Sequence, residues 1–191
     1  MSEQGREAGL SSIASLRARA REHLENGAVT ETYAADRETV LRLLNEALAT
    51  ELVCTLRYRR HYFMANGVHA EAIKEEFRTH AQEELEHADR IAARIVQLDG
   101  EPNFDPKGLT ERSHAEYVAP AALTDMIREN LVAERIAIDS YKEMVEYIGA
   151  RDPTSRRLLE EILAKEEEHA EDLSSMLTAV APGARKQAAE E

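Results

Sequence analysis

Two stretches of this chain carry the tetrad Glu-x-x-His, at Glu84/His87 and Glu166/His169, and two others carry a lone glutamate within an apolar stripe, Glu51 and Glu134. Residues three apart on an α-helix share a face, so each tetrad aims a carboxylate and an imidazole in one direction. Four helices closing into a bundle would gather these four carboxylates and two imidazoles at one point. That set is the ligand complement of a carboxylate-bridged di-iron or di-manganese site. Buried carboxylates at one level repel one another and cannot all ionise without cations. Two divalent ions balance four carboxylates and leave the imidazoles as neutral ligands.

The elements that must position these residues are legible as apolar stripes at spacings of three and four. The first predicted helix runs from about Asp36, an N-cap, to about Ala65, with Val40, Leu44, Leu48, Glu51, Thr55, Tyr58 and Tyr62 on one face and Asn66-Gly67 as its stop. The second runs from about His69 to Asp99 through Ile73, Phe77, His80, Glu84, His87, Ile91 and Ile95. A long connection from Gly100 to about Pro120 exceeds a tight hairpin and can travel the length of a bundle. The third helix reads Leu123, Ile127, Leu131, Glu134, Ile138, Tyr141, Val145 and Ile148. After a turn at Gly149, with Asp152 as N-cap and Pro153 at the first helical position, the fourth reads Leu159, Ile162, Glu166, His169, Leu173, Met176 and Val180, stopped by Pro182-Gly183. Residues 1–35 are read as a polar tail with a short amphipathic piece around Leu16–Leu24, residues 36–181 as the bundle, and residues 182–191 as a polar C-terminal tail. The fold class is therefore all-α, a four-helix bundle of ferritin-like topology with one long crossover between its second and third helices. Each of the four glutamates stands where a core residue belongs, at mid-helix and hence at similar height.

The other glutamates, among them Glu75, Glu76, Glu83, Glu86, Glu161 and Glu168, read as solvated helix faces. Tyr58, two turns beyond Glu51, is a core aromatic or a group that donates an electron or bonds a ligand carboxylate. His80, one turn before Glu84, reads as a hydrogen-bonded core histidine with a supporting role at the site as the alternative. Cys54 reads as a small buried hydrophobe.

Composition sets the outer bounds. With 24 Lys and Arg against 37 Asp and Glu, the formal charge is −13, which argues against nucleic-acid or anionic-membrane partners and suits cations. A single cysteine permits no intrachain disulfide and makes a reducing, cytoplasmic setting the expectation. No window has the apolar length of a signal peptide core or a membrane span.

At these residues the chain resembles the bacterioferritins. "LNEALATELVCTLRYRRHYF" is similar to that family's first helix, with ligand Glu51 and site tyrosine Tyr58. "EELEHADRIAARIVQLDGEPN" resembles the second, with bridging Glu84 and ligand His87; "LVAERIAIDSYKE" resembles the third at Glu134; "ILAKEEEHAEDL" resembles the fourth, with bridging Glu166 and ligand His169. The resemblance implies two Fe ions per subunit, with Mn or Zn able to substitute. It also implies oxidation of Fe(II) by O2 or H2O2 and storage of ferric iron in a homo-oligomeric shell. Three departures qualify it. The position of the family's haem-ligating methionine is Leu85, which has no donor atom, so no haem is expected. The crossover is longer, and Arg112–Val118 is a candidate short helix within it. The tail after Val180 is too short and polar for the extra helix of shells of twenty-four subunits. Twelve-subunit mini-ferritins with a bacterioferritin-type site are the closer analogue, without their usual cysteine pair. The competing reading is a stand-alone di-iron or di-manganese oxidase, or a peroxide-scavenging enzyme, without storage.

Overall fold

The computed structural model describes residues 10–67 and 70–180, and among them there are helices and no strands. The elements are α1 (Ile13–Arg19), a 3-10 turn (Leu24–Asn26), α2 (Arg37–Met64), α3 (Ala70–Gln97), α4 (Leu109–Arg112), α5 (Leu123–Ile148) and α6 (Pro153–Val180). The four long helices form the expected bundle, with α2 packed chiefly on α3 and α5 on α6. No described helix is long and apolar enough to cross a membrane. Residues 1–9, Val68, His69, the Pro182-Gly183 stop and the polar 182–191 tail lie outside the described residues.

The stripes become two apolar clusters. Val40, Leu44, Leu48, Ile91, Ile95, Met144, Ile148, Leu159 and Ile162 fill one end, and Ile73, Phe77, Met126, Ile127 and Leu173 the other. Between them lies a buried polar layer containing Glu51, Glu84, His87, Glu134, Glu166 and His169. The clusters hold this layer in place, since truncating one such Leu or Ile to Ala costs about 2–5 kcal/mol.

The α5–α6 turn forms as its residues predict. Gly149 takes a positive φ of 52°, and Asp152 caps α6 by accepting a hydrogen bond from the Ser155 amide at 3.0 Å. Arg94 of α3 and the Tyr33 hydroxyl also donate to this carboxylate, each at 2.9 Å. Burial works to raise Asp152, yet these bonds and the Arg94 charge hold it below the usual carboxylate range. Through Tyr33, with Val29 and Ala35 packed on the larger cluster, the N-terminal segment is tied to the bundle. Its helix differs from expectation. Helix α1 begins at Ile13, capped by the Ser12 hydroxyl, ends at Arg19 and buries none of its residues.

The crossover runs along α2. Asn103 N donates to Asn45 at 2.7 Å, His114 N to Thr50 at 2.9 Å, and Arg57 and Arg60 donate to the carbonyls of Glu116 and Pro120 at 2.9 and 3.0 Å. Its short helix is Leu109–Arg112, not Arg112–Val118. Gly108, at φ 71°, opens that turn, and beyond it the α2 side chains claim the backbone groups that a helix over residues 113–118 would need.

Candidate metal centre

Each of the six residues singled out in the sequence reaches the same buried layer. Glu51 comes from α2, Glu84 and His87 from α3, Glu134 from α5, and Glu166 and His169 from α6, and none is more than 5 % exposed. They form two overlapping groups whose ligand atoms lie within 4.8 Å of one another: Glu51, Glu84, His87 and Glu166, and Glu84, Glu134, Glu166 and His169. Glu84 and Glu166 belong to both groups, so a pair of ions held here would share them. Each imidazole turns Nδ1 inward. His87 Nδ1 lies 3.3 Å from Glu51, 3.4 Å from Glu84 and 3.0 Å from Glu166. His169 Nδ1 lies 3.5 Å from Glu84 and 3.6 Å from Glu166.

The protein's own groups do not satisfy this layer. Glu84 Oε1, Glu134 Oε2, both oxygens of Glu166 and His169 Nδ1 are buried without a hydrogen bond. Buried oxygens and imidazole nitrogens left facing one another are costly unless a cation fills the gap. Carboxylate and imidazole donors suit first-row divalent ions such as Fe(II), Mn(II) or Zn(II). The residues present therefore fit two such ions.

Protons distribute unevenly over the metal-free layer. Burial, then the Glu84 charge, pushes Glu51 up to about 8. Burial, followed by the charges of Glu84 and Glu166, lifts Glu134 well above the carboxylate range. Burial also opposes ionisation of Glu84 and Glu166, but the close approach of the His169 and His87 imidazoles outweighs it and holds both below their ordinary value. Against the burial that would lower it, the facing carboxylates of Glu166, Glu51 and Glu84 raise His87 to about 12, and those of Glu166 and Glu84 raise His169 to about 11. At neutral pH the metal-free layer thus holds two imidazolium ions, two carboxylates and two carboxylic acids, and is neutral as a whole.

Two tyrosines brace the glutamates that belong to one group each. The Tyr58 hydroxyl of α2 donates to Glu134 Oε1 of α5, and the Tyr141 hydroxyl of α5 donates to Glu51 Oε1 of α2. Tyr58 is thus a hydrogen-bond partner of a candidate ligand. Tyr141, which sequence alone places in the core stripe, is a second such partner. Its signal was present: Tyr141 follows Glu134 by the same seven residues that separate Tyr58 from Glu51. Glu83, read as a solvated face, instead meets His169 Nε2 at 2.8 Å. That contact fixes the ring so that Nδ1 faces the centre. His80 also adjoins the site, stacked on His169 with ring centroids 4.0 Å apart and 3.2 Å from the Tyr58 hydroxyl. Cys54 is buried, contacted by Arg57 at 3.7 Å, and its thiol is raised well above the usual range by burial.

Four long helices, one crossover and two overlapping buried groups of candidate ligands define a four-helix bundle with a candidate metal centre at its middle. Known proteins carry this further. The ferritin-like domain matches residues 41–181. The bacterioferritin of Mycobacterium leprae is 32% identical over 145 residues, covering 72% of this chain and 83% of that one. The solved bacterioferritin-related protein of Bacteroides fragilis, described as a dodecameric thioferritin, is 33% identical with a TM-score of 0.75, covering 78% of this chain and 90% of that one. Dps from Thermosynechococcus elongatus, at 21% identity and a TM-score of 0.71 over 73% of this chain and 90% of its own, shares the fold. The chain belongs to the ferritin-like family and is a homologue of the bacterioferritins.

Proposed function

We propose that this protein is a ferroxidase that oxidises Fe(II) with O2 or H2O2 at the six-residue centre and stores Fe(III) in a homo-oligomeric shell. Family membership supports iron storage and ferroxidase chemistry in general terms. The observation that carries the specific reading is the pair of overlapping donor groups sharing Glu84 and Glu166. In this reading Glu51 and His87 serve one ion, Glu134 and His169 the other, and Glu84 and Glu166 bridge.

A bound iron pair supplies two electrons to the oxidant, each Fe(II) giving up one. The chain's residues do the rest. Glu84 of α3 and Glu166 of α6 belong to both groups and would hold both ions together. Tyr58 and Tyr141 hold Glu134 and Glu51 in place by hydrogen bonds. The apolar clusters above and below exclude water from the layer.

The shell is proposed to contain twelve subunits, as in the dodecameric Bacteroides fragilis homologue. Leu56 and Phe63, seven residues apart on an outward face of α2, are 52% and 71% exposed, a surface that suits burial against another copy. Leu85 offers no haem ligand, and the charge of −13 disfavours DNA. The protein is proposed to act in the cytoplasm.

Replacing Glu84 with Ala removes a bridge and tests the reading. Stopped-flow absorbance after mixing Fe(II) with O2 or H2O2 should lose its fast ferric phase, while circular dichroism and light scattering show an unchanged shell. Parental rates with both oxidants would place the ferroxidase chemistry elsewhere. Multi-angle scattering separates storage from a stand-alone oxidase, which needs no shell.

A further inference from the structure

Beside the six-residue centre, α3 and α6 assemble a second set of donors. Glu76 and His80, four apart on α3 and so on one face, meet Asp172 of α6, with one ligand atom from each lying within 4.8 Å of the others. We infer that Glu76, His80 and Asp172 form a separate site for a single divalent transition-metal ion, linked to the six-residue centre through His80.

His80 is 1% exposed, and its two ring nitrogens face different neighbours. Nδ1 meets the Tyr58 hydroxyl at 3.2 Å. Tyr58 owns a single hydroxyl proton and donates it to Glu134 Oε1. With Glu134 ionised, as a metal ligand must be, the Tyr58 oxygen can then only accept from His80, which assigns the imidazole proton to Nδ1 and leaves a lone pair on Nε2. Among the described residues that lone pair makes no hydrogen bond. It faces Asp172 Oδ2 at 3.9 Å, with Glu76 alongside. Ionised carboxylates are acceptors and cannot donate to it. The gap is too wide for a hydrogen bond, yet one ion with bonds of about 2.1 Å spans it.

Donor chemistry narrows the class. One imidazole with two carboxylates suits Fe(II), Mn(II) or Zn(II), whereas Mg(II) and Ca(II) prefer oxygen alone. The neighbouring combination of His80, Glu83 and His169 is committed elsewhere, because His169 Nε2 bonds Glu83 at 2.8 Å and Nδ1 faces the centre. The link between sites is direct. An ion on Nε2 polarises the Nδ1–H that His80 offers Tyr58, and Tyr58 braces Glu134. The same ring stacks on His169 at 4.0 Å with an interplanar angle of 20°.

The test dialyses the full-length protein against low-micromolar Zn(II), counts ions per chain, and locates them by anomalous diffraction at the zinc edge. Three ions per chain are expected, the third among Glu76, His80 and Asp172. Asp172→Asn and His80→Ala should each abolish that peak and leave the other two, with Asp172→Asn weakening the third ion about tenfold or more. Asp172 is exposed, so its variant decides the matter even where His80→Ala fails to fold. A count of two with no density beside Asp172, or a third ion that survives Asp172→Asn, overturns the site. Peaks are read position by position, so an empty six-residue centre beside a filled third site would sink the proposed function and leave this inference standing.

Discussion

Loading the centre with metal should expel about four protons per chain. Near pH 7 the metal-free layer holds one proton each on Glu134, His87 and His169, and most of one on Glu51, whose pKa is about 8. Every one of these groups must give up its proton to bind an ion through the atom facing the centre. Two divalent ions bring four positive charges and replace about four protons, so the layer is neutral before and after. The affinity for each ion should then rise about a hundredfold per pH unit around neutrality. Redox-inert Zn(II) isolates this exchange from oxidation. Titration calorimetry in buffers of different ionisation heat gives the proton count as a slope over the first two equivalents. Glu51→Gln and Glu134→Gln should each lower it by about one, since an amide has no such proton. A count below about two per chain in the parent protein would mean that the layer is already deprotonated, and the charge-exchange argument would be wrong.

Further outcomes follow from the same groups. In chelator, stability should fall as pH rises from 6.5 to 8. Glu51 is raised from 4.5 to about 8, His87 from 6.5 to about 12 and His169 from 6.5 to about 11, so across that window the folded chain binds protons that the unfolded chain has lost. Each such proton shifts the folding equilibrium about tenfold per pH unit; His61 and His80, lowered to about 4 and 3, weigh only below 6.5. A urea midpoint that stays level or climbs between these pH values contradicts this. Tyr141→Phe should weaken the ion at Glu51 by about 10- to 100-fold, and Tyr58→Phe the ion at Glu134 by a similar factor; unchanged affinities in competition with a chromophoric chelator would deny both tyrosines a positioning role. Protein purified after growth with haem precursor should show no Soret band, and stoichiometric haem would refute the reading of Leu85.

The clustering of the six residues was legible because a glutamate inside an unbroken apolar stripe is expensive without a partner, and helical periodicity says which way it points. Tyr141 escaped because a tyrosine in a stripe carries no such penalty and looks like packing until its hydroxyl is followed. Glu83 escaped for the opposite reason. One residue from Glu84, it falls on the flank of α3, and only the docking of α6 brings His169 Nε2 to it. The crossover helix was displaced because its position depends on partners distant in sequence. Thr50 and Arg57 of α2 bond the backbone of residues 114 and 116 and hold that stretch out of a helix.

The pairing of helices gives the centre a further property. The helices pack mainly as two hairpins, α2 with α3 and α5 with α6. The donors divide evenly between them: Glu51, Glu84 and His87 on one, Glu134, Glu166 and His169 on the other. Each half also carries its own tyrosine, which crosses over to brace the opposite half's glutamate. Neither hairpin holds a complete coordination set, so the centre exists only as a seam. Metal then acts as a clasp, favouring the docked arrangement of the halves by its binding free energy. The arrangement is a near-repeat, two copies of one helical hairpin folded face to face around a common charge.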